Sequence, residues 1–237
     1  MNIMGFIPAR GGSKGIPRKN MVLLNKKPLI QYTIEAAQES NYIDQIFVST
    51  EDEEIARFCE SLGVSVPYRR PVKLATDEST IIEAIMDALE WLKDSSLNFP
   101  DSIMLLQPTS PLRRPEDIDG AVELFQATQA ESLISVHRMV EHPYDCLRIE
   151  KNGWSFLAKP PSGERLISRQ DYPEEFYYIN GAIYLAKTEF LVRKKSFVVE
   201  GETALYFMNP ADGVDIDDMF DLKRAEFYIQ FCTESIS

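Results

Sequence analysis

Short, wholly apolar runs alternate along this chain with stretches in which apolar residues recur every three or four positions. Ile3 to Ile7 is the first run, closed by Pro8 and a glycine-rich loop, and from Pro28 to about Glu39 the period becomes helical. Ile46-Phe47-Val48, Val64 to Val66, Ile103 to Leu106 and Leu133 to Val136 repeat the first pattern. The stretches from about Glu53 to Leu62, Ser79 to Lys93 and Pro115 to Gln126 repeat the second. Runs so short and so apolar predict strands covered on both faces, and the interleaved helices are the cover: an α/β, doubly wound, mostly parallel sheet. The helix near Ser79 is the best marked, with Ser79 as the expected N-cap and Ile82, Ile85, Met86, Leu89 and Leu92 spaced to face a core.

The alternation breaks around His142. Cys146 to Ile149, a turn at Lys151-Asn152-Gly153 and Trp154 to Leu157 predict a β-hairpin with Asn-Gly as its turn signal. Pro160-Pro161-Ser162-Gly163 marks a loop, after which Tyr177 to Ala186 and Leu205 to Met208 predict strands and Met219 to Phe231 a closing helix. The expected organisation is one domain over residues 1–237, with a small β-rich excursion inserted at about 139–176.

Composition adds constraints. A chain of 237 residues, 44% hydrophobic, closes a core without disulfides or a structural metal. Cys59, Cys146 and Cys232 are odd in number and far apart, which suits a reducing, cytoplasmic setting. No apolar run nears the roughly 18 residues needed to span a bilayer, so no membrane partner is expected. A formal net charge of −12 argues against nucleic acid as a partner. Yet no Asp or Glu occurs from Met1 to Ile34, where Arg10, Lys14, Arg18, Lys19, Lys26 and Lys27 all fall. A cationic segment in an acidic protein is suited to hold a small polyanion.

That segment contains Pro8-Ala9-Arg10-Gly11-Gly12-Ser13-Lys14-Gly15-Ile16-Pro17-Arg18-Lys19-Asn20, directly after the first predicted strand. Ligands of open α/β sheets lie beyond the carboxyl ends of strands. Glycines let backbone N–H groups approach phosphate oxygens, and Arg and Lys neutralise the remaining charge. The order is neither a Walker loop nor a dinucleotide-binding fingerprint. Far along the chain, Asp215 and Asp217 stand two apart, so an extended backbone presents both carboxylates on one side. Two uses are open to them: ligands of a shared divalent ion, or, with Asp218 and Asp221, negative charge at the start of the last helix. His137 and His142 accompany no Ser or Cys nucleophile pattern, which excludes triad chemistry.

The first loop closely resembles the nucleotide-binding motif of the acylneuraminate cytidylyltransferases, or CMP-sialic acid synthetases. Leu106-Gln107-Pro108-Thr109-Ser110-Pro111-Leu112-Arg113 is similar to a second motif of that family. Arg169-Gln170 with Asn180-Gly181-Ala182-Ile183-Tyr184 resembles a third, and Val214-Asp215-Ile216-Asp217 ahead of Asp221-Leu222 a fourth. Four motifs in order over most of the chain are far more specific than any one. Departures fall at Tyr172, where the family carries Leu before Pro173, and at Tyr144-Asp145, where many members carry a Lys after the His-Pro pair.

The resemblance implies a Rossmann-like nucleotidyltransferase with Mg²⁺ as cofactor. Its reaction would be CTP plus an N-acylneuraminate, an acidic nine-carbon sugar, giving the CMP-sugar and pyrophosphate. It implies that Ala9, Arg10, Gly11, Gly12, Ser13, Lys14, Lys19, Asn20 and Ser79 hold the nucleotide. Gln107, Arg169, Gln170 and Tyr184 would hold the sugar, Arg169 by a bidentate grip on its carboxylate. Asp215 and Asp217 would hold the metal, and Arg10, Lys14, Lys19, Gln107, Asp215 and Asp217 would carry the chemistry. It also implies a homodimer, with the excursion exchanging contacts between subunits. Related expectations are CMP-legionaminic or CMP-pseudaminic acid synthesis and, more remotely, activation of an eight-carbon acidic sugar. A binding module without catalysis would have no need of the aspartate pair.

Overall fold

The computed structural model describes residues 1–161 and 172–234. The first strand, β1 (Ile3–Pro8), leads through the basic loop to a short ribbon of β2 (Leu23–Leu24) and β3 (Lys27–Pro28), then α1 (Leu29–Glu39). Next come β4 (Gln45–Ser49), α2 (Glu53–Ser61), α3 (Ile81–Lys93), β5 (Ser102–Leu105), α4 (Pro115–Thr128) and β6 (Ser132–Arg138). The excursion carries the hairpin β7 (Leu147–Glu150) and β8 (Gly153–Phe156). The chain then returns through β9 (Tyr177–Lys187), α5 (Thr188–Lys194), β10 (Thr203–Phe207) and α6 (Met219–Glu234).

Six strands form one sheet in the order β10-β6-β9-β5-β1-β4. Every pairing is parallel except those of β9, which runs antiparallel between β5 and β6. Alternation along β1 shows why the sheet needs cover on both sides. Ile3 and Ile7 pack with Ile30 and Ile34 of α1, Ile55 of α2 and Val122 of α4, whereas Met4 and Phe6 pack with Ile85 and Leu89 of α3 and Phe190 of α5. The doubly wound expectation holds. No helix among the described residues is long and apolar enough to cross a membrane.

Three local expectations are corrected. Val64 to Val66 is extended, with Val64, Val66, Tyr68 and Arg70 buried in alternation, but it makes no ladder with the sheet. Pro67, which has no N–H to give to a ladder, falls in its middle. The seven-residue α5 was not foreseen, because its apolar residues are too few to show a period. Ser79 does not cap α3; Thr80 does, its Oγ1 accepting from the Glu83 N–H at 3.2 Å while the Glu83 carboxylate accepts from the Thr80 N–H at 2.8 Å. Ser79 instead donates its hydroxyl to the Lys73 carbonyl at 2.8 Å. Thr80→Ala should therefore lower unfolding free energy by about 0.5–2 kcal/mol in denaturant melts, with Ser79→Ala well below that. Equal losses would refute the capping assignment.

Candidate active site

Beyond the carboxyl ends of β1 and β5 lies a cleft of about 310 Å³. Three segments remote in sequence are laced together to make it. Lys19 donates Nζ to the Ile216 carbonyl at 2.9 Å and to Asp217 Oδ1 at 3.0 Å. Ile216 N–H donates to the Thr109 carbonyl at 2.8 Å, which joins the acidic segment to the loop after β5. Beneath them, Ile16, Val214 and Ile216 share a buried apolar cluster with Leu24 and Leu29. The basic loop runs so close to the acidic segment that a side chain at Gly15 would collide with the Asp217 carbonyl oxygen.

Of the residues expected to hold the nucleotide, Arg10, Gly12, Ser13, Lys19, Asn20 and Ser79 line the cleft. Asn20 is buried and donates its amide to the Arg10 carbonyl at 2.8 Å, fixing the loop from within. Ala9, Gly11 and Lys14 are not on the wall. Ala9 is buried and gives its N–H to Ser49. Gly11 gives its N–H to Glu51 Oε1 at 2.8 Å, and a Cβ there would stand 2.5 Å from Asp52 Oδ2, so this glycine serves close packing against α2. Lys14 has a side chain 78% exposed and pairs with Asp77.

The same wall carries two charged groups that the sequence reading passed over. Arg70 is buried and anchored by Nε to Ser49 Oγ at 2.9 Å and by Nη2 to the Ser49 carbonyl at 2.6 Å. Burial pulls its pKa down, with Glu51 opposing. The alternating burial of Val64, Val66 and Tyr68, extended two residues further, was the signal that would have pointed Arg70 inward. Asp77 bridges Arg10 at 2.8 Å and Lys14 at 3.1 Å, and these two cations hold its carboxyl below the usual value.

Gln107, Asp215 and Asp217 complete the cleft. Gln107 donates Nε2 to the Gly181 carbonyl at 3.3 Å. Val214 and Ile216 are buried while Asp215 and Asp217 alternate with them, so both carboxylates leave the backbone on the side away from the core. The capping alternative is taken by their neighbours: Asp218 Oδ1 accepts from the N–H groups of Phe220 and Asp221, and Asp221 Oδ2 from those of Asp217 and Asp218. Asp215 and Asp217 are left for the cleft. Burial pushes the Asp215 carboxyl above its ordinary value, Asp217 and Asp221 adding to the rise and Thr109 and Lys19 opposing it. Its Oδ1 is buried without a hydrogen-bond partner. An orphaned carboxylate oxygen beside a second, exposed carboxylate is a donor set for a hard cation. Among the described residues no group of three His, Cys, Asp or Glu side chains gathers, so such a cation would draw further oxygens from phosphate or water.

Tyr184 lies on β9, opposite Leu105 and Ile134, and stacks at a tilt on Phe197 rather than lining the cleft. Arg169 and Gln170 lie outside the described residues.

A mostly parallel sheet, a glycine-rich basic loop after its first strand and an aspartate pair across the cleft together define a nucleotidyltransferase. Residues 4–202 match the model of the family described as Cytidylyltransferase. The chain is 38% identical over 237 residues, all of both proteins, to the CMP-N,N'-diacetyllegionaminic acid synthase of Legionella pneumophila. It is 36% identical over 219 residues to an N-acylneuraminate cytidylyltransferase of Streptococcus agalactiae, which covers 91% of this chain but only 50% of that longer protein. In fold it matches CMP:2-keto-3-deoxy-manno-octonic acid synthetase complexed with CTP, with a TM-score of 0.68 at 15% identity over 97% of this chain and 99% of that one. The chain belongs to the cytidylyltransferases, in the CMP-sialic acid synthetase family.

Proposed function

We propose that this enzyme transfers CMP from CTP to an acidic nine-carbon sugar of the nonulosonic class. The observation that carries the reading is the lacing of the basic loop, through Lys19, to the segment that brings Asp215 and Asp217 into the same cleft. The anomeric hydroxyl attacks the α-phosphorus, a phosphorus–oxygen bond forms to the sugar, the bond to pyrophosphate breaks, and the hydroxyl proton is lost. Arg10, Gly12, Ser13, Lys19 and Arg70 line the cleft and would surround the phosphate chain, where fixed positive charge stabilises the charge that builds as pyrophosphate leaves. Lys14, at the rim with Asp77, adds to the field rather than to the wall. Gln107 orients the acceptor by hydrogen bonds, and the family resemblance adds Arg169 and Gln170 as acceptor-binding groups. Asp215 and Asp217 would hold Mg²⁺, which supplies neutralisation of phosphate charge.

Full-length similarity to the Legionella synthase favours one second reading, an N,N'-diacetylated legionaminate as acceptor. The test is pyrophosphate release from CTP and Mg²⁺ with a panel of nonulosonic acids that includes N-acetylneuraminate and N,N'-diacetyllegionaminate. Release with one of them is expected; none with any would leave a nucleotide-binding module. Exposed Leu147, Ile149 and Trp154 on the hairpin support pairing of two copies through the excursion.

A further inference from the structure

Arg113 is the most deeply enclosed charge in the described chain, 3% exposed, and no carboxylate hydrogen-bonds it. Asp117, the charged neighbour that acts on it, accepts at Oδ2 from the Arg114 N–H at 2.9 Å. Burial lowers the Arg113 pKa to about 9, which leaves the group charged at neutral pH. Burying a cation without an anion is costly, and an apolar side chain of similar volume would pack the same space. What an apolar side chain could not do is bond three segments at once. Nη1 donates to the Ala182 carbonyl at 2.6 Å and, more weakly, to the Gln107 carbonyl at 3.4 Å, while Nη2 donates to Thr33 Oγ1 of α1 at 2.8 Å.

One of those three segments, the loop after β5, lines the cleft, and a second is bonded to it there. Gln107 reaches across to the Gly181 carbonyl, one residue from the carbonyl that Arg113 grips. Gly181 sits at φ +76°, a conformation other residues avoid, and β9 slips register against β6 beside it, between Ile134 and Val136. An irregular strand has no ladder to hold it there; Asn180 and Ser135 bond the Ala182 and Ile183 N–H groups, and the planar fork of Arg113 holds the Ala182 carbonyl to the loop after β5. The Gln107 backbone and the residue next to the carbonyl that receives its side chain are thus both bonded to one guanidinium.

We propose that Arg113 is a positioning residue for acceptor chemistry: it sets the aim of the Gln107 amide by clamping the Gly181–Ala182 bulge to the loop after β5. This rests on the reading of Gln107 as an acceptor-side group. The test is a double-mutant cycle with Arg113→Met, Gln107→Ala and the pair, followed by melting temperature and by kcat and KM for CTP and for whichever nonulosonic acid turns over. Arg113→Met should lower kcat/KM for the sugar by about tenfold or more, with KM for CTP held within about twofold. In the Gln107→Ala background the same change should cost less than about threefold, because the group it aims is gone. Arg113→Lys, which keeps charge but loses the fork, should fall on the side of Met and carries the comparison if the Met variant does not fold. Additive losses, or equal losses for CTP and sugar that follow melting temperature, would overturn the clamp and leave Gln107 its role. Unchanged sugar kinetics in Gln107→Ala alone would overturn both.

Discussion

Asp215→Asn should abolish most turnover and leave the protein at least as stable as before. Burial raises the pKa of Asp215, and one of its oxygens has no hydrogen-bond partner. A folded-state pKa above the unfolded value means that ionisation works against the fold. This penalty is absent below the unfolded pKa, grows as pH rises toward the folded one and is complete above it. Asn removes it, so the variant should match or exceed the wild type in melting temperature at neutral pH, and the difference should shrink on acidification. Activity should move the other way. An amide is a poor ligand for a hard cation, and losing charge neutralisation worth several kcal/mol corresponds to a fall in kcat of about 10²–10⁴-fold. Asp217→Asn should lose activity comparably with little change in stability, because the Asp217 side chain is 79% exposed. Partial recovery with Mn²⁺ or high Mg²⁺ would match a ligand role; full activity of both variants at ordinary Mg²⁺ would refute it.

Lys19→Ala is expected to have the next largest effect. Its side chain is only 13% exposed and spends two donors on Ile216 and Asp217, which puts its ammonium where the basic loop meets the acidic segment. Loss of a charge-assisted contact of this kind should cost about 2–5 kcal/mol in kcat/KM for CTP. Lys14→Ala provides the contrast. Both lysines stand in the same motif, but Lys14 is solvated and paired with Asp77 at the rim, so its removal should cost about 1 kcal/mol or less. Steady-state kinetics with CTP as the varied substrate checks both, and equal effects would mean that both lysines reach the phosphates alike.

Sequence pattern went furthest where function and local geometry share a short segment. The basic loop, Gln107 after β5 and the Asp215–Asp217 alternation were all legible because each is written within a few residues. Four aspartates between 215 and 221 look alike in sequence; only the hydrogen bonds to α6 show that Asp218 and Asp221 cap while the other two do not. Arg70 was missed because the predicted strand was ended at Val66, before Pro67, although the period of two runs on through Tyr68 to it. The antiparallel setting of β9 and the division of labour between Gly11 and Gly12 depend on partners 40 or more positions away, such as Glu51 for Gly11. Adjacent glycines carry no mark of which will face a ligand.

The stitching of Lys19 to Ile216 and Asp217 joins residues nearly 200 positions apart. During synthesis, the basic loop emerges nearly 200 residues before its counterpart exists. Contacts of such long sequence separation are costly to close and form late. A nascent chain therefore carries the cationic loop and its early counter-charge Asp77 but no complete nucleotide pocket, and CTP binding reports completion of the fold rather than progress toward it. Once formed, a ligand spanning that seam holds two remote segments to each other, and its binding energy resists the unfolding of either one.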